Sequence, residues 1–254
     1  MAARLIDQYV SGFERVLRPL LGRVDATAAR LARSVLWIDV PLARAMVYTL
    51  LAPVIWNALA RLEYYTRVMS RLCGGRRRLA CALLAVWIVS FSLYRDVMLL
   101  EGMRHTALQL PQFPYECLPI WLRHHLSYAS VHAATRAAAY SLAAVGGVLV
   151  VSSFVQLGFF GTFLGDYFGM LLPARVTGFP FNTLEHPMYD GSTILFASQA
   201  LYEESLIGLL LTMWVFLVYR VACIFEGAFT SRIYREAAAA ATPKSFRDSR
   251  SKID

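Results

Sequence analysis

Two groups of residues able to do chemistry flank the apolar runs of this chain. Glu226 closes one run, and the hexapeptide HPMYDG, residues 186–191, opens another. A carboxylate near a hydrocarbon boundary is costly unless it is paired or solvated. Glu226 therefore reads two ways, as the partner of Arg220 or Arg232, or as the seat of a bound cation. In HPMYDG, Pro187 suits the first turn of a helix and Asp190 suits its positive end. That structural reading leaves His186 and Tyr189 unexplained, and both can contact a polar cofactor.

The hexapeptide ends a Gly- and aromatic-rich stretch, residues 157–192, that places Arg175, Asn182, Glu185, His186 and Asp190 immediately before an apolar run. Gly158, Gly161, Gly165 and Gly169 fall three or four apart, so on a helix they line one face. Small residues in that pattern serve close helix packing, or they bare the backbone to a nucleotide-like ligand. Gly146 and Gly147 carry the same two readings. The pair Glu203–Glu204 reads as a solvated turn at the tip of a helical hairpin. His124, His125 and His132 have no carboxylate or thiol close by in the sequence, so no metal site is expected. No P-loop, zinc-protease, nucleophile-elbow or dinucleotide fingerprint occurs in its required context.

The elements that carry these residues are set by composition. With 57% hydrophobic and 17% charged residues, the chain is too apolar for an ordinary soluble surface. Residues 137–165 hold no charge at all, more than the roughly 20 residues a helix needs to cross a bilayer. Further apolar runs cover 79–100, 193–202 and 206–225, and the uncharged stretch 45–60 with Pro53 inside is short for a crossing. The expected fold is all-α, an integral membrane bundle of about four apolar helices plus an N-terminal re-entrant or interfacial helix. Residues 1–44 read as an amphipathic interfacial segment, 45–236 as the membrane domain and 237–254 as a disordered basic tail. The four cysteines imply neither a disulfide framework nor a zinc site.

The net charge of +8 does not point to nucleic acid. The arginines cluster beside apolar spans, where they set topology and meet anionic headgroups. Six of them, Arg61, Arg67, Arg71, Arg76, Arg77 and Arg78, stand against the single Glu63 in residues 61–78. The positive-inside rule places that loop, the tail and residues 158–192 on the cytoplasmic side.

The segments LGFFGTFLGDYFGMLLPARVTGFPFN, HPMYDGST, GLLLT and FTSRIYR together resemble the phosphatidylethanolamine N-methyltransferases, or phospholipid methyltransferases, across residues 45–236. The resemblance implies a multi-pass enzyme of the endoplasmic reticulum membrane. It implies transfer of methyl groups from S-adenosylmethionine to phosphatidylethanolamine and its mono- and dimethyl forms, with the later steps favoured. Two family elements bind the cofactor. The Gly-x-Gly reads Ala144-Val145-Gly146 here, and the Glu pair reads Glu226-Gly227, so Gly146 and Glu226 carry over. HPMYDG is similar to the HPxYxG run of wider membrane methyltransferases, which adds His186, Tyr189 and Gly191 as cofactor-site candidates. Glu226 and His186 are the candidate catalytic residues, with His186 or Glu185 taking the amine proton. The alternatives are an isoprenylcysteine-type carboxyl methyltransferase and a non-catalytic membrane scaffold. The expected partner is the phospholipid substrate, with no metal and an oligomeric state left open.

Overall fold

The computed structural model describes residues 40–105 and 113–241. Five long helices carry them: α1 (Val40–Thr66), α2 (Arg77–His105), α3 (Tyr128–Thr162), α4 (Pro187–Tyr202) and α5 (Leu206–Ala241). Short helical turns at Val68–Leu72, Tyr115–Cys117, Ile120–Arg123 and Gly165–Phe168 lie in the connections. Among the described residues there is no strand. Among the described residues four stretches are long and apolar enough to cross a membrane: Val40–Thr66, Arg77–His105, Tyr128–Phe168 and Leu206–Ala240. The all-α membrane bundle expected from composition is the fold.

The first of these helices is longer than the kinked 45–60 segment expected from the sequence. It runs for 27 residues with Pro53 inside, about 40 Å of helix. The charges that interrupt the apolar run all find partners, so they do not end the helix. Arg44 lies 3.6 Å from Glu101, Arg61 donates to the carbonyl of Phe225 at 3.0 Å, and Glu63 accepts from Met69 N at 2.8 Å and Ser70 N at 3.2 Å. Residues 40–44 belong to this helix, and the rest of the expected interfacial segment lies outside the described residues. Residues 237–241 continue α5, and the remainder of the expected tail is likewise outside.

The chain divides into two compact units, each drawing on several helices. Among the described residues, one comprises 40–49, 92–105, 113–142 and 196–214. Its helices touch through small residues, as expected where lipid removes any hydrophobic preference between helices. A Cβ on Gly208 would stand 2.8 Å from Ala200 Cβ, and one on Gly102 would stand 3.1 Å from Ala45 Cβ. Ser198 Oγ donates to the Ala139 carbonyl at 2.7 Å. The pair Glu203–Glu204 is no solvated turn here. Arg104 forks onto Glu203 at 2.8 and 2.6 Å, and Glu204 bonds His132 and takes the Tyr128 hydroxyl at 3.1 Å. The two carboxylates are only 13% and 14% exposed, because each is covered by the group that bonds it.

The other unit comprises, among the described residues, 50–91, 143–195 and 215–241. Its core gathers Ala60, Ala80, Cys81, Leu84, Tyr167, Phe168, Phe229 and Ile233. The Tyr167 ring stacks on Phe229 with centroids 5.1 Å apart. Thr230 Oγ1 donates to Asp166 Oδ2 at 2.9 Å, tying the same turn to α5. The expected single face of glycines from 158 to 169 does not form. Gly158 has φ +66°, which kinks α3, and Gly169 has φ +79° after the turn Gly165–Phe168. These backbone angles suit glycine, and they break the helical register on which a common face depends.

Candidate functional site

All the candidate site residues read from the sequence fall in the second unit. Pro187 opens α4, where its missing N–H costs no helical bond. The His186 carbonyl accepts from Asp190 N at 3.0 Å, so His186 occupies the cap position and Tyr189 sits in the first turn. The Tyr189 ring meets Tyr219 of α5 edge to face at 4.8 Å, which aims its hydroxyl along α5 toward Glu226.

Glu226 is then held by three neutral donors. Tyr189 OH donates to Oε2 at 2.7 Å. Trp56 Nε1–H and Asn57 Nδ2–H both donate to Oε1, each at 2.8 Å. Asn57 Nδ2 also donates to the Pro53 carbonyl at 3.0 Å. Two acceptors on one end of the amide fix which end carries nitrogen. Trp56 and Asn57 are both buried, at 8% and 9% exposure.

The ion-pair reading of Glu226 is thereby decided. Arg220 pairs with Asp190, and Arg232 bonds Glu236 and the Tyr65 hydroxyl. Among the described residues no basic side chain pairs with Glu226. Three neutral donors orient the carboxylate without cancelling its negative charge. A carboxylate has about four lone-pair sites, and three are filled here. The group is oriented and still open to one contact, which suits a ligand cation.

Gly146 and Gly191 pack on each other. A Cβ on Gly146 would stand 2.8 Å from the Gly191 carbonyl oxygen, and a Cβ on Gly191 would stand 2.9 Å from the Gly146 carbonyl oxygen. The hydrogen in place of each Cβ faces the other's oxygen, a recurring helix–helix contact. Gly147 is different: a Cβ there would meet no atom within 4 Å, and the same holds for Gly227. The bared backbone with room beside it is at 147, one residue past the expected position.

His186 is half-buried, and Arg175, Asn182 and Glu185 are exposed. Among the described residues no protein group hydrogen-bonds the His186 imidazole. The structure thus joins Tyr189 to Glu226 and Gly191 to Gly146, and it leaves His186 one turn away at the head of α4. Sequence reading missed Trp56 and Asn57. Their one signal was an amide and an indole N–H inside an uncharged stretch, where a polar group needs a partner.

Comparison with known proteins gives a consistent answer. A family model described as phospholipid methyltransferase matches residues 134–237. A phosphatidylethanolamine N-methyltransferase A of Dictyostelium discoideum is 40% identical over 194 residues, covering 76% of this chain and 81% of that one. A phosphatidyl-N-methylethanolamine N-methyltransferase of Neurospora crassa is 42% identical, covering 72% and 77%. The phosphatidylethanolamine N-methyltransferase of Homo sapiens is 39% identical over 212 residues, covering 82% and 95%. No solved structure matches.

Proposed function

The chain belongs to the phospholipid methyltransferase family, and from that premise we propose that it N-methylates phosphatidylethanolamine and its mono- and dimethyl forms with S-adenosylmethionine as donor. The observation that carries the reading is the Glu226 carboxylate, held by Trp56, Asn57 and Tyr189 and paired with no base. The donor is a cation at its ammonium and its sulfonium, and it supplies an electrophilic methyl group. The residues present fit it: Glu226 would take the positive charge, and Gly147 leaves backbone clear for close approach.

The protein's own part is to bind, orient and manage one proton. Displacement at carbon needs a neutral amine aligned with the methyl group. The lipid ammonium must therefore release a proton before it can attack. His186 is the assigned acceptor, because it lies at the head of the helix that carries Tyr189 and its imidazole is not engaged by the protein. Histidine is the side chain most often used for such transfers. No covalent enzyme intermediate is needed. The six arginines of residues 61–78 support a cytoplasmic placement of this end, and the family supports residence in the endoplasmic reticulum membrane.

The experiment is a transfer assay with purified full-length protein in nanodiscs and labelled S-adenosylmethionine, offering each of the three lipid acceptors separately. Label in at least one phospholipid is expected, and the relative rates order the three steps. Label in none would reject the reading. Label only in a prenylcysteine ester would move the assignment to a carboxyl methyltransferase.

A further inference from the structure

Two of the six arginines in residues 61–78 converge beyond the site just described. Gly169 is exposed and has φ +79°, at the end of the turn Gly165–Phe168. A Cβ at this position would stand 3.2 Å from Arg77 Nη1 and 3.8 Å from Arg67 Nη2. Two guanidinium groups therefore share the space over one bare backbone position.

Arg67 is held in place. Its Nη1 donates to the Tyr167 carbonyl at 3.2 Å, its guanidinium lies 5.9 Å from the Tyr64 ring centroid, and its own backbone is left-handed, φ 55°, where α1 gives way to the next turn. Arg77 is the first residue of α2, a helix end whose dipole already disfavours a cation. Arg76 and Arg78 flank it. Among the described residues no carboxylate pairs with Arg67 or Arg77. The one carboxylate of the loop, Glu63, is fully buried and taken up by Met69 N, Ser70 N and Ser70 Oγ. Like charges brought together at the positive end of a helix are unfavourable alone. They are favourable around an oxyanion with several acceptor oxygens, the group that paired guanidinium forks match best.

The turn that forms this cradle is packed on the part of α5 that bears Glu226. Tyr167 stacks on Phe229, three residues past Glu226, and Asp166 takes the hydroxyl of Thr230, one turn past it. An oxyanion bound over Gly169 is thus placed by the turn of α5 that follows the one bearing the carboxylate. We propose that Arg67 and Arg77, over the bare Cα of Gly169 whose own N–H donates to the Asp166 carbonyl at 3.0 Å, form a phosphate subsite that takes the phosphodiester of the acceptor phospholipid. This rests on the phospholipid reading above and extends it to named residues. Bulk anionic lipid and free phosphate carry the same oxyanion chemistry, so the test separates the three sources.

The test uses full-length protein in an uncharged maltoside detergent, where a short-chain acceptor phospholipid is the only lipid phosphate. Arg77→Gln and Arg67→Gln are compared with the native chain for acceptor KM, for equilibrium binding of a pyrene-labelled acceptor, and for the Kd of S-adenosylhomocysteine. Each change is expected to weaken acceptor binding and raise KM about tenfold, with the S-adenosylhomocysteine Kd unchanged within about twofold. Arg77→Lys keeps the charge without the fork and is expected to fall between. Inorganic phosphate should compete with the acceptor in the native chain and less in Arg77→Gln. An unchanged acceptor KM with normal S-adenosylhomocysteine binding would overturn the subsite while leaving the methyltransferase reading intact. Activation by added phosphatidylglycerol that vanishes in Arg77→Gln at constant acceptor KM would assign the cradle to bulk anionic lipid and overturn the proposal. A native chain that methylates no lipid would remove the reading beneath it. Arg67 also bonds Tyr167, so a loss of both ligands in Arg67→Gln alone leaves exposed Arg77 to decide the matter.

Discussion

Replacing Glu226 by glutamine separates charge from shape at the centre of the site. Oε1 receives two donors that cannot reverse, Trp56 Nε1–H and Asn57 Nδ2–H, so the oxygen of the substituted amide must lie there. The amide NH2 then faces the Tyr189 hydroxyl in place of Oε2, and a hydroxyl can rotate to accept. All three contacts survive, and Glu226→Gln should fold with stability within about 1 kcal/mol of the native chain. What it loses is the negative charge. A hydrogen bond to a charged group contributes about 1.5–3 kcal/mol, which corresponds to roughly 10- to 150-fold in affinity. S-adenosylmethionine titrated calorimetrically into the variant in nanodiscs without an acceptor lipid should bind weaker by that factor, while the thermal midpoint barely moves. Unchanged affinity would refute the idea that this carboxylate holds the donor's cation. A midpoint that falls as far as in Glu226→Leu would refute the account of the three donors.

Further changes test the surroundings. Gly146→Ala drives a Cβ into the Gly191 carbonyl at 2.8 Å and should cost about 1–3 kcal/mol of stability as overpacking. Gly147→Ala has open space and should gain up to about 1 kcal/mol in helix propensity; denaturant titration of the two variants should therefore give opposite signs, and lost cofactor affinity at 147 alone would mark the ligand-facing position. Tyr189→Phe keeps the contact with Tyr219 and removes one donor, so cofactor affinity should fall roughly 2- to 10-fold, with little further loss when it is combined with Glu226→Gln. Glu63→Ala leaves Met69 N, Ser70 N and Ser70 Oγ without their acceptor, at a cost on the order of 3 kcal/mol read as a lower thermal midpoint, and cofactor affinity should hold.

The membrane class was legible because a charge-free run such as 137–165 has few alternatives in a folded chain. The length of α1 was not, since Arg44, Arg61 and Glu63 look like boundaries until their partners at Glu101, Phe225 and Ser70 are known. The same limit hid half of the site. Glu226 stood out as an expensive carboxylate, and HPMYDG as a helix start with two residues left over. Trp56 and Asn57 lie 170 and 169 positions away from Glu226, and nothing local in α1 says what they bond. Glu203 and Glu204 failed for the mirror-image reason. An acidic dipeptide at a turn looks solvated unless Arg104 and His132 are seen to cover it. Glycine spacing misled because helical spacing has meaning only while the helix continues, and Gly158 interrupts it.

The reciprocal contact between Gly146 and Gly191 acts as a notch as well as a close approach. Each carbonyl is seated where the other residue has only hydrogen, so sliding α4 along α3 by even one residue would bring Ser192 or Asp190 against the Gly146 oxygen. The axial height of α4 is thereby locked by main chain rather than by side chains that can repack. Tyr189, two residues before the notch, inherits that height. The lipid-facing flanks of both helices can consequently drift in sequence or be re-engineered, so long as neither glycine gains a carbon.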